Sequence, residues 1–161
     1  MSRRSVDPEY AAALAAAGFR RHVIAAGTAG EIDVYRRPAQ GRWLLEARQE
    51  GPGDGHVDVG LTLDPGGGAL IGPVHRALSA AALASALPHI TASLEALAEA
   101  AERMRCPNCK SWAVVNEGEG GPFLACGQPT SRTPFAGTIH TCRRNLVMSA
   151  LIVYREPRSP W

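Results

Sequence analysis

The sequence predicts an α+β chain: an N-terminal helix, an antiparallel β-meander covered by an Ala/Leu-rich helix or kinked helix pair, and a small cysteine-bearing module after it. Three observations predict this. Strand-like segments with short, turn-rich connections follow one another between residues 19 and 64, and short connections favour antiparallel neighbours because parallel strands need long crossovers. From Ser79 the apolar spacing changes to three- and four-residue steps, the spacing of one helix face. All four cysteines then fall between residues 106 and 142. The expected division is an α+β domain over 1–104, made of a helix, about four strands and a helix, and a module over 105–161 whose apolar last segment packs back on the first domain, which 161 residues can accommodate.

Taken in order, Asp7, Pro8 and Glu9 read as an N-cap, a first-turn proline and an acid suited to a helix N-terminus, and AAALAAAG ends on Gly18. A helix is expected over about residues 8 to 17. FRRHVIAA (19 to 26), EIDVYRR (31 to 37) and RWLLEARQ (42 to 49) carry strand composition, separated by the turns GTAG and PAQG. After GPGDG, Val57, Val59, Leu61 and Leu63 alternate with His56, Asp58, Gly60 and Thr62, which predicts a strand buried on one side only. DPGGG (64 to 68) has neither the Lys-Ser/Thr of a P-loop nor the strand-to-helix context of a dinucleotide site. It reads as a turn. Leu83 and Leu87, then Ile90, Leu94, Leu97, Ala101 and Met104 form one apolar stripe. Pro88 within it either starts a second helix or kinks a long one, because proline removes an internal donor.

Hydrophobic residues make up 45% and charged residues 20% of the chain, a globular composition, and no apolar run approaches the roughly 18 or more residues a membrane helix needs. MSRRSVDPEY places Asp7, Pro8 and Glu9 where a secretory signal would place its apolar core. A cytoplasmic location without membrane contact is expected. The net charge of +2 is too small to announce a nucleic-acid binder, but residues 105–161 carry 7 Lys+Arg against 3 Asp+Glu, while residues 1–104 carry 10 against 12. Residues 1–104 show no paired carboxylates or nucleophile-base string, so no catalytic residue is assigned.

The cysteines stand as Cys106-x2-Cys109-x16-Cys126-x15-Cys142. A redox CxxC ends a strand and opens a helix, whose N-terminus lowers the first thiol's pKa. Here a helical pattern runs into Cys106, and WAVVNEGEGGPFLAC reads strand, turn, strand. In a reducing compartment four clustered thiols point to metal before disulfides. A hairpin with cysteines at its base suits a closed tetrahedral site for a structural Zn²⁺ at Cys106, Cys109, Cys126 and Cys142. His140, two residues before Cys142, is an alternative ligand, although four cysteines already fill such a site. His22, His56, His75 and His89 are scattered singly and are given no metal role.

Cys106-Pro107-x-Cys109, the Val114-Val115 strand, Gly121-x-Phe123-Leu124-x-Cys126 and Cys142 resemble the four-cysteine zinc ribbons of the C-terminal regions of type IA DNA topoisomerases. The likeness covers residues 104–145, and residues 1–103 resemble no recognised family. Two positions depart from the pattern: Lys110 stands where the family has glycine after the first CxxC, and 15 residues separate Cys126 from Cys142 where the family has a few. The resemblance implies structural zinc and binding of single-stranded DNA, with some members binding proteins instead.

Basic and aromatic residues around the cysteines suit that ligand: Lys110, Arg132, Arg143 and Arg144 to track phosphates, Trp112, Phe123 and Phe135 to stack on unpaired bases. Trp112 and Phe123 serve equally well as packing residues of the hairpin. The expected function is a non-enzymatic zinc-ribbon DNA-binding accessory protein, acting on single strands in repair, recombination or replication. The alternative is a zinc-stabilised protein-interaction or regulatory module, with a partner protein or a second copy as its ligand. NLVMSALIVY (145 to 154) is apolar almost throughout and reads as a fully buried strand that returns to the first domain.

Overall fold

The computed structural model describes residues 3–25, 28, 30–50, 55–64, 70–103, 113–118, 121–126 and 151–156. Its elements run α1 (Pro8–Ala16), β1 (Arg20–Ala25), β2 (Glu31–Pro38), β3 (Trp43–Glu50), β4 (His56–Leu63), β5 (Ile71–Ala77), α2 (Ala80–Glu102), β6 (Ala113–Gly118), β7 (Gly121–Cys126) and β8 (Leu151–Tyr154). The chain is α+β. Strands β1 to β5 form an antiparallel meander, and β8 adds to β5 in parallel, giving one six-stranded sheet in the order β1-β2-β3-β4-β5-β8. Strands β6 and β7 form a separate antiparallel pair.

Local chemistry sets the ends of α1. The Gly18 N–H donates to Ala15 O and the Phe19 N–H to Leu14 O, both at 3.0 Å. This is a Schellman closure, with Gly18 in the left-handed region at φ 87°. Phe19 and Leu14 are both buried, supplying the apolar contact that accompanies such a cap. Asp7 holds the N-cap position, but its side chain makes no capping bond. It pairs with Gln49 instead: the Asp7 N–H donates to Oε1 at 2.7 Å and Gln49 Nε2 donates to the carboxylate at 2.8 Å.

Helix α2 is a single element of 23 residues with Pro88 inside it. Its N-terminus is capped by Ser79, whose Oγ accepts from the Ala82 N–H at 3.1 Å. By length and composition α2 meets the test for a membrane span, yet its stripe of Leu83, Leu87, Ile90, Leu94 and Ala98 is buried in the core of this fold. Tyr10 and Leu14 of α1 and Trp43, Leu45, Ala47, Val57, Val59, Leu61 and Leu63 of the sheet belong to the same core. Both helices therefore cover one sheet face, where alternation in β3 and β4 aims every second residue.

Three expectations need correction. The segment before α2 forms a fifth meander strand, β5, which Gly72 and Pro73 concealed, since both residues weaken a strand pattern. The pairs Val59–His75 and Leu61–Ile71 bracket a shift of register there, with Gly72 at φ 79°. Strand β4 is not buried on one side only: Asp58, Gly60 and Thr62 are buried as well as the apolar set. The last apolar strand does return to the sheet, but β8 lies at its edge, with Leu151, Ile152 and Val153 exposed by 54%, 40% and 42%. Residues 145–150 lie outside the described residues.

Candidate functional site

Polar groups gather on the sheet face opposite the helices. Antiparallel register sets Arg36 beside Glu46, Arg48 beside Asp58, and Asp58 beside Arg76, and directly opposed side chains share a face. Arg36 Nε donates to Glu46 Oε2 at 2.7 Å, and Arg48 Nε donates to Glu46 Oε1. Arg76 grips Asp58 with two bonds, Nε to Oδ1 at 2.8 Å and Nη2 to Oδ2 at 3.0 Å. His56 Nε2 lies 3.6 Å from Asp58 Oδ2, beyond hydrogen-bond reach.

Glu46 is fully buried and Asp58 is 7% exposed. Each carboxylate has both oxygens engaged by arginine, so neither is placed as a general base. Removing such charges from water is costly, and the pairing offsets that cost only because the geometry is this complete. Leu70 closes the same face further along, its Cβ 3.2 Å from where a Cβ on Gly60 would stand. That contact accounts for glycine at the middle of β4. Thr62 Oγ1 is buried on this face without a hydrogen-bond partner. Sequence reading passed over this network because its members are spread over four strands and meet only through register.

On the helix side, an open groove of about 380 Å³ lies between α1 and α2, lined chiefly by Ala13, Ala17, Ala84, Leu87 and Pro88. Arg37 borders it, donating to Ala17 O at 3.2 Å and facing Glu95 at 3.0 Å. Nearer the sheet's other end, His75 of β5 is 2% exposed. Its Nδ1 lies 2.9 Å from the Tyr154 hydroxyl oxygen, and the two rings stack with centroids 5.8 Å apart. Burial, and second the neighbouring His89, hold the His75 pKa below its ordinary value. Burial raises that of Tyr154, so the phenol keeps its proton, and one hydrogen bond joins it to the imidazole.

Of the expected metal ligands, Cys126 ends β7, and Cys106, Cys109 and Cys142 lie outside the described residues, as does His140. The hairpin register pairs Ala113 with Cys126, Asn116 with Phe123 and Gly118 with Gly121. Cys126 therefore sits at the end of the hairpin away from its turn. Lys110, Trp112, Arg132, Phe135, Arg143 and Arg144 also lie outside the described residues. Among the described residues no group of three or more His, Cys, Asp or Glu side chains is arranged to hold a metal ion. Comparison with known protein families, with curated proteins and with solved structures finds no match for this chain.

Proposed function

We propose that the chain is a non-enzymatic zinc-ribbon protein that binds single-stranded DNA as an accessory in repair, recombination or replication, in the reducing cytoplasm. The observation that carries this reading is the hairpin register. Cys126 is backed against Ala113, and Cys109 precedes Ala113 by four positions in the chain. Four residues span up to about 14 Å, so the chain length lets the CxxC reach Cys126. A cysteine pair entering one strand and a cysteine leaving the other is an arrangement that suits a structural zinc site.

The donor set fits the ion. Thiolates are soft ligands suited to zinc, and Cys106, Cys109, Cys126 and Cys142 would hold it in a closed site with no position for substrate. Zinc bound there supplies folding energy, roughly 10 to 16 kcal/mol in small zinc modules. Recognition then falls to the module's surface. Several of the sheet domain's arginines support this division: Arg3, Arg36, Arg37, Arg48, Arg76 and Arg103 each face a carboxylate of their own domain. Lys110, Arg132, Arg143 and Arg144 are the basic groups assigned to phosphates, with Trp112, Phe123 and Phe135 assigned to base stacking.

The test is a titration of matched single- and double-stranded oligonucleotides against native and chelator-treated protein. Single strands should bind more tightly, and chelation should abolish the binding. No binding at low salt would sink the DNA reading. A second reading, a zinc-stabilised protein-interaction or regulatory module, is favoured by the exposed apolar edge of β8, since monomeric proteins usually guard such edges with charge or proline. Light scattering across a concentration series and a pull-down separate the two.

A further inference from the structure

We propose that β8 is a releasable latch and that protonation of His75 detaches it from the sheet. The latch joins through the parallel pairing of Val74–Ala77 with Leu151–Tyr154, the Leu78 N–H bond to Tyr154 O at 3.1 Å, and the stacked, hydrogen-bonded His75–Tyr154 pair. Among the described residues the titratable groups facing His75 are Tyr154 from β8 and His89 from α2. Its register partners, Val59 on β4 and Ile152 on β8, are apolar. Arg76 and Asp58 lie on the opposite face of the sheet, because side chains alternate along each strand.

A proton on His75 creates a cation that is buried and lies close to a second histidine. Among the described residues two elements cover the ring, and it escapes into water only if one of them moves. One cover is α2, whose Leu83, Leu87, Ile90 and Leu94 are buried in the main core. The other is β8, a strand of four residues at the sheet edge with three of them 40% to 54% exposed. Detaching β8 uncovers far less apolar surface, so the opening takes that route.

The sign follows from where the proton binds. With β8 detached, the burial is relieved and the His75 pKa rises toward its ordinary value of about 6.5, the effect of His89 on α2 remaining; with β8 attached, its pKa is lower. The attached form is therefore fully favoured above about pH 6.5, and the attached-to-detached ratio falls by up to roughly tenfold per pH unit below it. The fall stops once pH passes the lowered value. Residues 103–150 join α2 to β8, so release frees the C-terminal end of the segment that carries the cysteines. The latch does not depend on what that segment binds.

Hydrogen exchange of the intact chain tests this, with amide protection corrected for the intrinsic effect of pH. Between about pH 7.5 and about pH 5.5, protection of the β8 amides bonded to β5 should fall, by at most roughly tenfold, while β3 and β4 amides keep theirs. His75→Phe keeps a stacking ring that cannot titrate and should abolish the pH dependence. A ring titration of His75 in the native protein gives the same test without a substitution, and its midpoint should lie below the ordinary histidine range. Unchanged β8 protection, loss shared equally by β3 and β4, pH dependence persisting in His75→Phe, or an ordinary His75 midpoint would each overturn the latch.

Discussion

Arg36 on β2 donates Nε to Glu46 on β3 at 2.7 Å, inside a sheet face that the alternation of β4 marks as the outward one. Glu46 has no exposed surface and Arg48 occupies its other oxygen. Removing the carboxylate would leave both guanidiniums without their central counter-charge. Glu46→Ala should cost about 3–5 kcal/mol of stability, the range for breaking a buried pair from one side. Glu46→Gln keeps the shape and one acceptor oxygen and should cost less. Urea unfolding of the three proteins measures the order, and equal stability of Glu46→Ala and the native chain would show that the network contributes nothing.

Gly60 and Leu70 make a second, separable prediction. Nothing in the backbone of Gly60 demands glycine, but an added Cβ would stand 3.1 Å from Leu70 Cδ1 and 3.2 Å from its Cβ. Gly60→Ala should therefore destabilise by overpacking, about 1–3 kcal/mol, and Leu70→Ala in the same chain should recover part of the loss. A double-mutant cycle reads this coupling directly. Additive effects would mean that the two residues do not press on each other.

Gly18 differs, because its constraint is backbone conformation. At φ 87° it closes α1, and among the described residues a Cβ there meets only Arg37 Cδ at 4.0 Å. Gly18→Ala should cost about 1–2 kcal/mol from the left-handed conformation alone. No second substitution at a neighbour should rescue it. Thermal unfolding of Gly18→Ala beside Gly60→Ala distinguishes strain in the chain from strain between side chains.

These residues also show how much of the fold the sequence makes legible. The bounds of α1 and of β1 to β4 follow from local signals, proline and glycine punctuation and period-two alternation, and the structure places them within a residue or so. Helix α2 follows from its leucine stripe. What escapes is information held between strands. The ladder from Arg36 to Arg76 exists only once four strands take their register, and each member alone looks like a solvated charge. Strand β5 escapes because Gly72 and Pro73 interrupt its pattern at the register shift. The edge position of β8 escapes because an apolar run reports affinity for a sheet without reporting which side of it stays open. At the candidate site, the hairpin of β6 and β7 is legible from strand-turn-strand composition, whereas Cys106, Cys109 and Cys142 belong to the proposal.

Zinc and single-strand binding make the last prediction, because metal, phosphate contact and stacking leave different signatures. Metal analysis should find one zinc per chain, and chelation should remove the protection of the β6 and β7 amides while leaving β3 and β4 intact. For single strands the logarithm of affinity falls with the logarithm of salt by about 0.7 for each phosphate neutralised. If Arg143 and Arg144 each meet a phosphate, the double change to alanine should weaken binding and flatten that slope by about 1.4. Trp112→Ala should weaken binding by about 1–3 kcal/mol if the ring stacks on a base, with the slope unchanged. If Trp112 instead packs the hairpin, the same change should loosen zinc and lower β6–β7 protection. Affinity across a salt series, measured beside zinc content for each variant, separates a module that grips a strand from one that only folds around its metal.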